Sequence, residues 1–345
     1  MRNLLVIMST GLLLAANATV ADADPASMKF WLAGVDPAVQ ARKHIGEPAD
    51  YMDLFQPKAP WTSAASNLDV FLIGTEMALR GSDDQLRAVI EGLKARHIKL
   101  AISMGLIGGE RPDGCGKGVE GYSAPKGPEA AARRIQALGG EIDYIAMDEP
   151  VWFGHAAGDM SGGRRGCRYT LGELTDKIAP QLEMLRGYFP NVGIGEIEPI
   201  SSSPHARSQD PHFLEDVRAF GDLLQTKANM KLAFLHADVA WKWEWRPGLE
   251  DMARQSHARG IRFGVICDGD VDAGGDAAWV QQALQRCREV ASNPKTFPDN
   301  VIVQTWEPLP TKMLPETDPG ALTYELGRLE SMLSGGARKR PDQGR

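Results

Sequence analysis

Apolar residues gather in short runs at nearly even intervals along the chain, at positions 30–35, 70–74, 100–104, 142–147, 192–197, 231–235, 261–266 and 301–304. The runs are rich in Val, Ile, Leu, Phe and Ala, the composition of strands covered on both faces in a parallel sheet. Stretches of helical periodicity lie between them, and several carry start and stop signals. Ser82-Asp83-Asp84-Gln85 and Thr170-Leu171-Gly172-Glu173 are capping boxes, each supplying a hydroxyl and a side-chain acceptor to the unpaired N–H groups of a first turn. Pro128 and Pro211 suit the first turns of helices over 129–138 and 212–227, and Gly139-Gly140 stops the former. Further helices are expected over 249–259, 277–290 and 321–333, whereas the stretch 37–55 is interrupted by Gly46 and Pro48. Strand and helix alternating eight times predict a single (β/α)8 TIM barrel, because an open doubly wound sheet rarely needs so many units.

The ends of the chain read differently. Met1 and Arg2 precede an apolar run over 4–16, and Ala16-Asn17-Ala18 and Ala21-Asp22-Ala23 are small-x-small cleavage candidates, so 1–23 reads as a signal peptide. A membrane anchor would need about 20 uninterrupted apolar residues, and Ser9, Thr10, Gly11 and Asn17 break the run. The barrel is expected over 24–334, followed by a disordered basic tail over 335–345. The mature chain is expected to be a secreted or periplasmic monomer without a membrane span. A net charge of −7 without long charge blocks argues against nucleic acid or an anionic membrane as partner. In an oxidising compartment four cysteines permit two disulfides. Cys115 and Cys167, both in Gly- and Arg-rich loops, are the favoured pair; Cys267 and Cys287 are either bonded or two buried thiols.

Sites in such a barrel form where the strands end. Acids crowd those positions here: Asp36, Glu76, Asp148, Glu149, Glu196, Glu198, Asp238, Asp268, Asp270 and Glu307. Carboxylates gathered on one rim raise one another's pKa unless a metal or a reaction uses them. The seven histidines show no H-x-H or H-E-x-x-H spacing, so no metal is expected. The glycine-rich stretch 108–118 has Arg111 and Gly118 where a phosphate loop needs Gly and Ser or Thr. Neither a nucleophile elbow nor a dinucleotide fingerprint occurs, so no cofactor is expected. A phosphodiester or amide hydrolase would need a metal or a histidine base such as His155 or His236. Trp152, Trp241, Trp243, Trp245 and Trp306 follow strand ends, and flat indole faces pack against the C–H faces of sugar rings. The alternative for the triplet 241, 243 and 245 is burial of one face against the rim. Carbohydrate is the expected partner, with Glu76, Trp152, His155, His236, Trp241, Trp306 and Glu307 as candidate binding residues.

Met147-Asp148-Glu149-Pro150 resembles the Asn-Glu-Pro that ends the fourth strand in the clan A glycoside hydrolases, and Trp306 is similar to the sugar-platform tryptophan of their eighth strand. That resemblance implies that Glu149 is the general acid/base and that Asp148 contacts the sugar 2-hydroxyl. The clan's nucleophile is a Glu ending the seventh strand, whereas Val265-Ile266-Cys267-Asp268 ends in Asp; the shorter side chain leaves retaining and inverting hydrolysis both open. Asp148, Glu196 and Asp268 are also similar to the nucleophile, acid/base and stabiliser positions of the α-amylase-like barrels, although Ala146 stands where that family has Arg. The expectation is a glycoside hydrolase of poly- or oligosaccharides, with Glu149 as proton donor and Asp268 or Glu196 as second carboxylate. The alternative is a non-catalytic saccharide-binding barrel.

Overall fold

The computed structural model describes residues 28–43, 50–109, 113–158, 160–200 and 212–334, so the leader expected at 1–23 and the tail expected at 335–345 lie outside the described residues. Among the described residues, eight parallel strands close into a barrel: β1 (Lys29–Ala33), β2 (Val70–Gly74), β3 (Lys99–Met104), β4 (Tyr144–Asp148), β5 (Gly193–Ile200), β6 (Phe234–Val239), β7 (Arg262–Cys267) and β8 (Asn300–Gln304). Each strand pairs with its neighbours in sequence, and β8 pairs with β1 to close the ring. Around them run α1 (Pro37–Lys43), α2 (Thr62–Asn67), α3 (Thr75–Arg80), α4 (Asp83–Ala95), α5 (Gly127–Ala137), α6 (Leu171–Tyr188), α7 (Phe213–Ala228), α8 (Arg246–Ala258), α9 (Asp276–Ser292) and α10 (Leu322–Ser334). Among the described residues no helix is long and apolar enough to cross a membrane.

Local signals in the sequence account for the helix ends. Both capping boxes form: the Ser82 hydroxyl accepts from Gln85 N, and the Thr170 hydroxyl accepts from Glu173 N. Pro128 sits in the first turn of α5, and Gly139 just past its end takes a left-handed φ of 77°. The short helices α2 and α3 and a 3-10 turn at Tyr51–Phe55 were not expected as separate pieces. Six residues give too little periodicity to read.

Strand boundaries matter for the site. The sixth strand runs over Phe234–Val239 rather than 231–235, and the fifth reaches Ile200 rather than 197. Side chains alternate along a strand, so on β6 Phe234, His236 and Asp238 share the inner face. The Trp31 ring packs 5.2 Å from Tyr144, 5.1 Å from Phe234 and 4.9 Å from His236, and these rings fill the lower barrel. Two glycines make room. A Cβ on Gly195 would lie 2.4 Å from the Phe234 ring, and one on Gly264 would lie 2.4 Å from His236. Burying rings of this size stabilises by roughly 1.5–3 kcal/mol each, and filling either gap would force them from their positions. Val70, Leu72, Ala101, Ala146, Ile197, Ile266 and Ile302 complete the interior.

Candidate active site

Glu149 follows β4 directly and takes a left-handed backbone (φ 46°), which costs a non-glycine residue on the order of 1 kcal/mol. Its surroundings hold that conformation. Glu149 N donates to Ile197 O at 3.1 Å, and its carbonyl accepts from Phe153 N at 2.9 Å. The next two free N–H groups, of Val151 and Trp152, donate to the Glu198 carboxylate at 2.7 and 3.1 Å. Glu198 is itself fully buried, so β5 clamps the turn that presents Glu149. From the other side, residues 105–109 and 113–123 fold over the end of β4. Ile107–Gly108 pairs with Tyr122–Ser123, and Gly121 approaches so closely that a Cβ there would lie 2.9 Å from Asp148 O.

The Glu149 and Asp238 carboxyls lie close enough to perturb one another. Burial and the neighbouring charges of Asp238, Glu120, Glu198 and Asp148 hold the Glu149 carboxyl well above the usual range. Asp238 is pushed up to about 7, by burial first and by the charge of Glu120 second. Asp268, just past β7, is raised by burial and by the charge of Asp238. Two groups oppose that rise. Trp241 Nε1 donates to Asp268 Oδ1 at 2.5 Å, and Arg286 donates to its backbone oxygen at 2.8 Å with Oδ1 3.9 Å away. The Trp241 N–H and Arg286 thus favour the ionised form of Asp268, against the burial and neighbouring charges that raise it.

The structure brings Asp148, Glu149 and Asp268 to one end of the barrel, with Asp238 between the last two. Trp306 joins them, half-buried on the residues that fill the interior. Glu307 follows it, its N–H bound to the Thr305 hydroxyl at 3.3 Å. Trp241 lies edge-on to the buried Trp245 at 5.2 Å, whereas Trp243 is 45% exposed, so the triplet does not present one shared face.

Other candidates stand elsewhere. Glu196 points outward from β5 into a cavity of about 10 Å³ lined also by Leu235, Met252, Ser256 and Arg259, and its outward face separates it from the mouth. Trp152 packs on Phe213 of α7 at 5.8 Å, and His155 bonds Tyr169 O at 2.6 Å and faces Asp216 at 3.4 Å. His236 is sealed in the barrel 3.0 Å from the Asn300 side chain, and burial pushes its pKa down to about 3. Glu76 pairs with Arg80 at 2.7 Å, and Asp36 caps α1 through the N–H groups of Ala38 and Val39. Among the described residues no group of three or more His, Cys, Asp and Glu is arranged to hold a metal ion. Asp238 and Arg286 are the members the sequence reading did not select. Asp238 was counted among the rim acids without a role; the alternation Phe234-x-His236-x-Asp238 would have placed it on the inner face, had the strand not been set three residues early.

The surrounding loops are cross-linked. Cys115 is bonded to Cys167, with Cα atoms 5.0 Å apart, which joins the segment after β3 to the segment after β4. Cys267 is bonded to Cys287 of α9, so the end of β7 is tied to its following helix.

No protein-family model matches the chain, and no curated protein matches it. Solved structures do share its fold. The GH53 catalytic domain of Ignisphaera aggregans superposes with a TM-score of 0.54 at 10% identity, covering 90% of this chain and 98% of that one. Native xylanase 10B from Thermotoga maritima gives 0.51 at 10% identity, covering 92% of this chain and 98% of that one. Over its described length the chain therefore has the (β/α)8 barrel fold found in glycoside hydrolases.

Proposed function

We propose that the chain is a glycoside hydrolase acting on a poly- or oligosaccharide, with Glu149 donating the proton to the leaving oxygen. The observation that carries this reading is the buried Glu149 carboxyl, presented at the end of β4 by a clamped left-handed turn and held well above the usual range by burial and the surrounding acids. Two-carboxylate hydrolysis needs one protonated acid and one ionised partner across the scissile bond, and unequal surroundings are what separate the two. Asp268, with the Trp241 N–H and Arg286 beside it to receive its charge, is the second carboxylate, serving as nucleophile or as base for water. The half-buried Trp306 offers an indole beside these acids for a sugar ring. Asp148 contacts the sugar. Two disulfides and the apolar leader fit a site of action outside the cytoplasm.

The test is release of reducing ends from a panel of polysaccharides by the wild-type protein and by Glu149→Gln. Loss of general acid help should lower the rate by about 10²–10⁴ on poor leaving groups. Equal rates in the two proteins would refute the assignment of Glu149. Saccharide binding without cleavage would favour the non-catalytic barrel.

A further inference from the structure

We propose that Trp243 is the platform of an outer saccharide subsite on the barrel rim, separate from the acids, and that the ligand is a carbohydrate chain long enough to occupy both places. The inference rests on the reading of the barrel mouth as a glycoside hydrolase site and narrows the substrate to a polymer or long oligomer. Among the described residues the exposed large apolar side chains are Trp243, at 45%, and Val271, at 57%. Both stand on loops that leave the mouth, Trp243 between β6 and α8 and Val271 between β7 and α9. Apolar side chains scattered singly over a surface carry no message, but a pair confined to adjacent loops at one end of a barrel marks a place of contact.

The two loops are held to each other and to the acids. Trp243 N donates to Ala240 O at 3.0 Å and closes a turn over Trp241 and Lys242. Ala273 N donates to Asp270 O at 3.0 Å and closes another over Val271 and Asp272. Lys242 at the corner of the first turn meets Asp272 at the corner of the second, 2.8 Å apart. At their bases, Trp241 Nε1 donates to Asp268 Oδ1 at 2.5 Å, and Arg286 donates to Asp268 O at 2.8 Å and to the Asp270 carboxyl at 2.7 Å. Just beyond the first turn Trp245 is buried, edge-on to Trp241, with the Arg246 guanidinium 4.5 Å over its ring. Trp243 alone of the three stacks on no ring or guanidinium among the described residues, so its indole is uncommitted. Its backbone is already fixed, and covering the indole therefore costs little further ordering. Trp241 takes the place beside Asp268, and two residues of chain put Trp243 within about 7 Å of it along the backbone. The charges around the indole are paired within the rim: Lys242 with Asp272, Arg286 with Asp270, and Glu244 with the N–H of Arg246. An apolar face bordered by neutralised polar groups suits an uncharged ligand that has both C–H faces and hydroxyls.

Affinity electrophoresis through native gels containing xylan, mannan, galactan or a β-glucan measures polymer binding whether or not the polymer is cleaved. At least one of the four should retard the wild-type protein. Trp243→Ala, a change at an exposed position, should weaken that retardation about five- to tenfold, the effect of no longer removing one indole face and one sugar face from water. Trp243→Tyr, which keeps a flat ring, should restore most of it. Titration calorimetry with the disaccharide and hexasaccharide of the same polymer, in the Glu149→Gln background to slow cleavage, reads chain length. The hexasaccharide should bind more tightly than the disaccharide, and Trp243→Ala should cut that advantage about five- to tenfold. The inference is overturned by no retardation in any gel, by equal retardation of wild type and Trp243→Ala, or by equal losses on the two oligosaccharides. If Trp243→Ala loses retardation while the wild-type protein cleaves none of the polymers, the outer platform stands and the hydrolase reading fails. If the polymers are cleaved and the retardation is the same in both proteins, the hydrolase reading stands and the platform falls.

Discussion

Glu196 offers a measurement that depends on physics alone. Its carboxyl is wholly buried between β5 and helices α7 and α8, neither oxygen has a hydrogen-bond partner, and the guanidinium that lines the same cavity, Arg259, is paired with Asp222. Burial pushes its pKa from the ordinary 4.5 up to about 8, in spite of the opposing charge of Arg259. The unfolded chain therefore releases this proton near the ordinary value while the folded chain retains it. Stability is greatest below that lower value, falls as pH rises towards about 8, and levels off above. At about 1.36 kcal/mol per pH unit the loss between about pH 5 and about pH 7 is roughly 2–3 kcal/mol. Glu196→Gln has nearly the same shape and no titration. Its stability relative to wild type should rise by that amount over the interval, about 5 °C in Tm for a chain of this size. Any fixed cost of burying an amide cancels between the two pH values, as do buried acids that do not feel Glu196; Glu198, which does, is followed in parallel with Glu198→Gln. Thermal unfolding followed by circular dichroism at the two pH values decides the matter. A gap that changes by less than about 0.5 kcal/mol would mean that Glu196 ionises in the folded state, and the argument from its burial would fall.

Three further outcomes are expected. Trp306→Ala should weaken saccharide binding by more than about 1.5 kcal/mol in titration calorimetry, while a loss confined to Tm would show Trp306 to be only packing. The double change Cys115→Ser with Cys167→Ser should lower stability by about 2–4 kcal/mol in urea unfolding, because a long loop regains its freedom in the unfolded chain; unchanged stability would show that the loops hold without the bond. On the proposed role of Asp148 as a sugar contact that takes no proton, Asp148→Asn should keep turnover within about tenfold; a loss as deep as that of Glu149→Gln would move the nucleophile to Asp148.

The barrel was legible because eight apolar runs separated by helical periodicity admit few architectures, and because capping at Ser82 and Thr170 follows from local geometry. Facing was harder to read. A strand buried on both sides has no polar face to set its register, so Glu196 and Glu198 looked like rim acids, whereas both project outward from β5. The small inward residue beside them, Gly195, was the available clue, since an empty position inside a packed barrel must be filled by a large neighbour such as Phe234. On β6 the apolar Leu232, Ala233, Phe234 and Leu235 drew the strand early, which left Asp238 looking like a loop acid. His155 and Trp152 follow the fourth strand closely enough to suggest the mouth, yet a helical turn after Glu149 carries them to α7.

The two disulfides also set the covalent topology around the acids. The Cys115–Cys167 bond closes a ring spanning 52 positions that contains all of β4 and hence Asp148 and Glu149, while Cys267–Cys287 closes one spanning 20 positions that contains Asp268. Each proposed acting carboxylate thus lies inside a closed loop of chain. A protease that cuts once within either ring opens the polypeptide without dividing it, so nicked protein keeps its full mass on a gel until a reductant is added. In a milieu rich in proteases, the segments bearing Glu149 and Asp268 would stay tethered on both sides after a first cleavage.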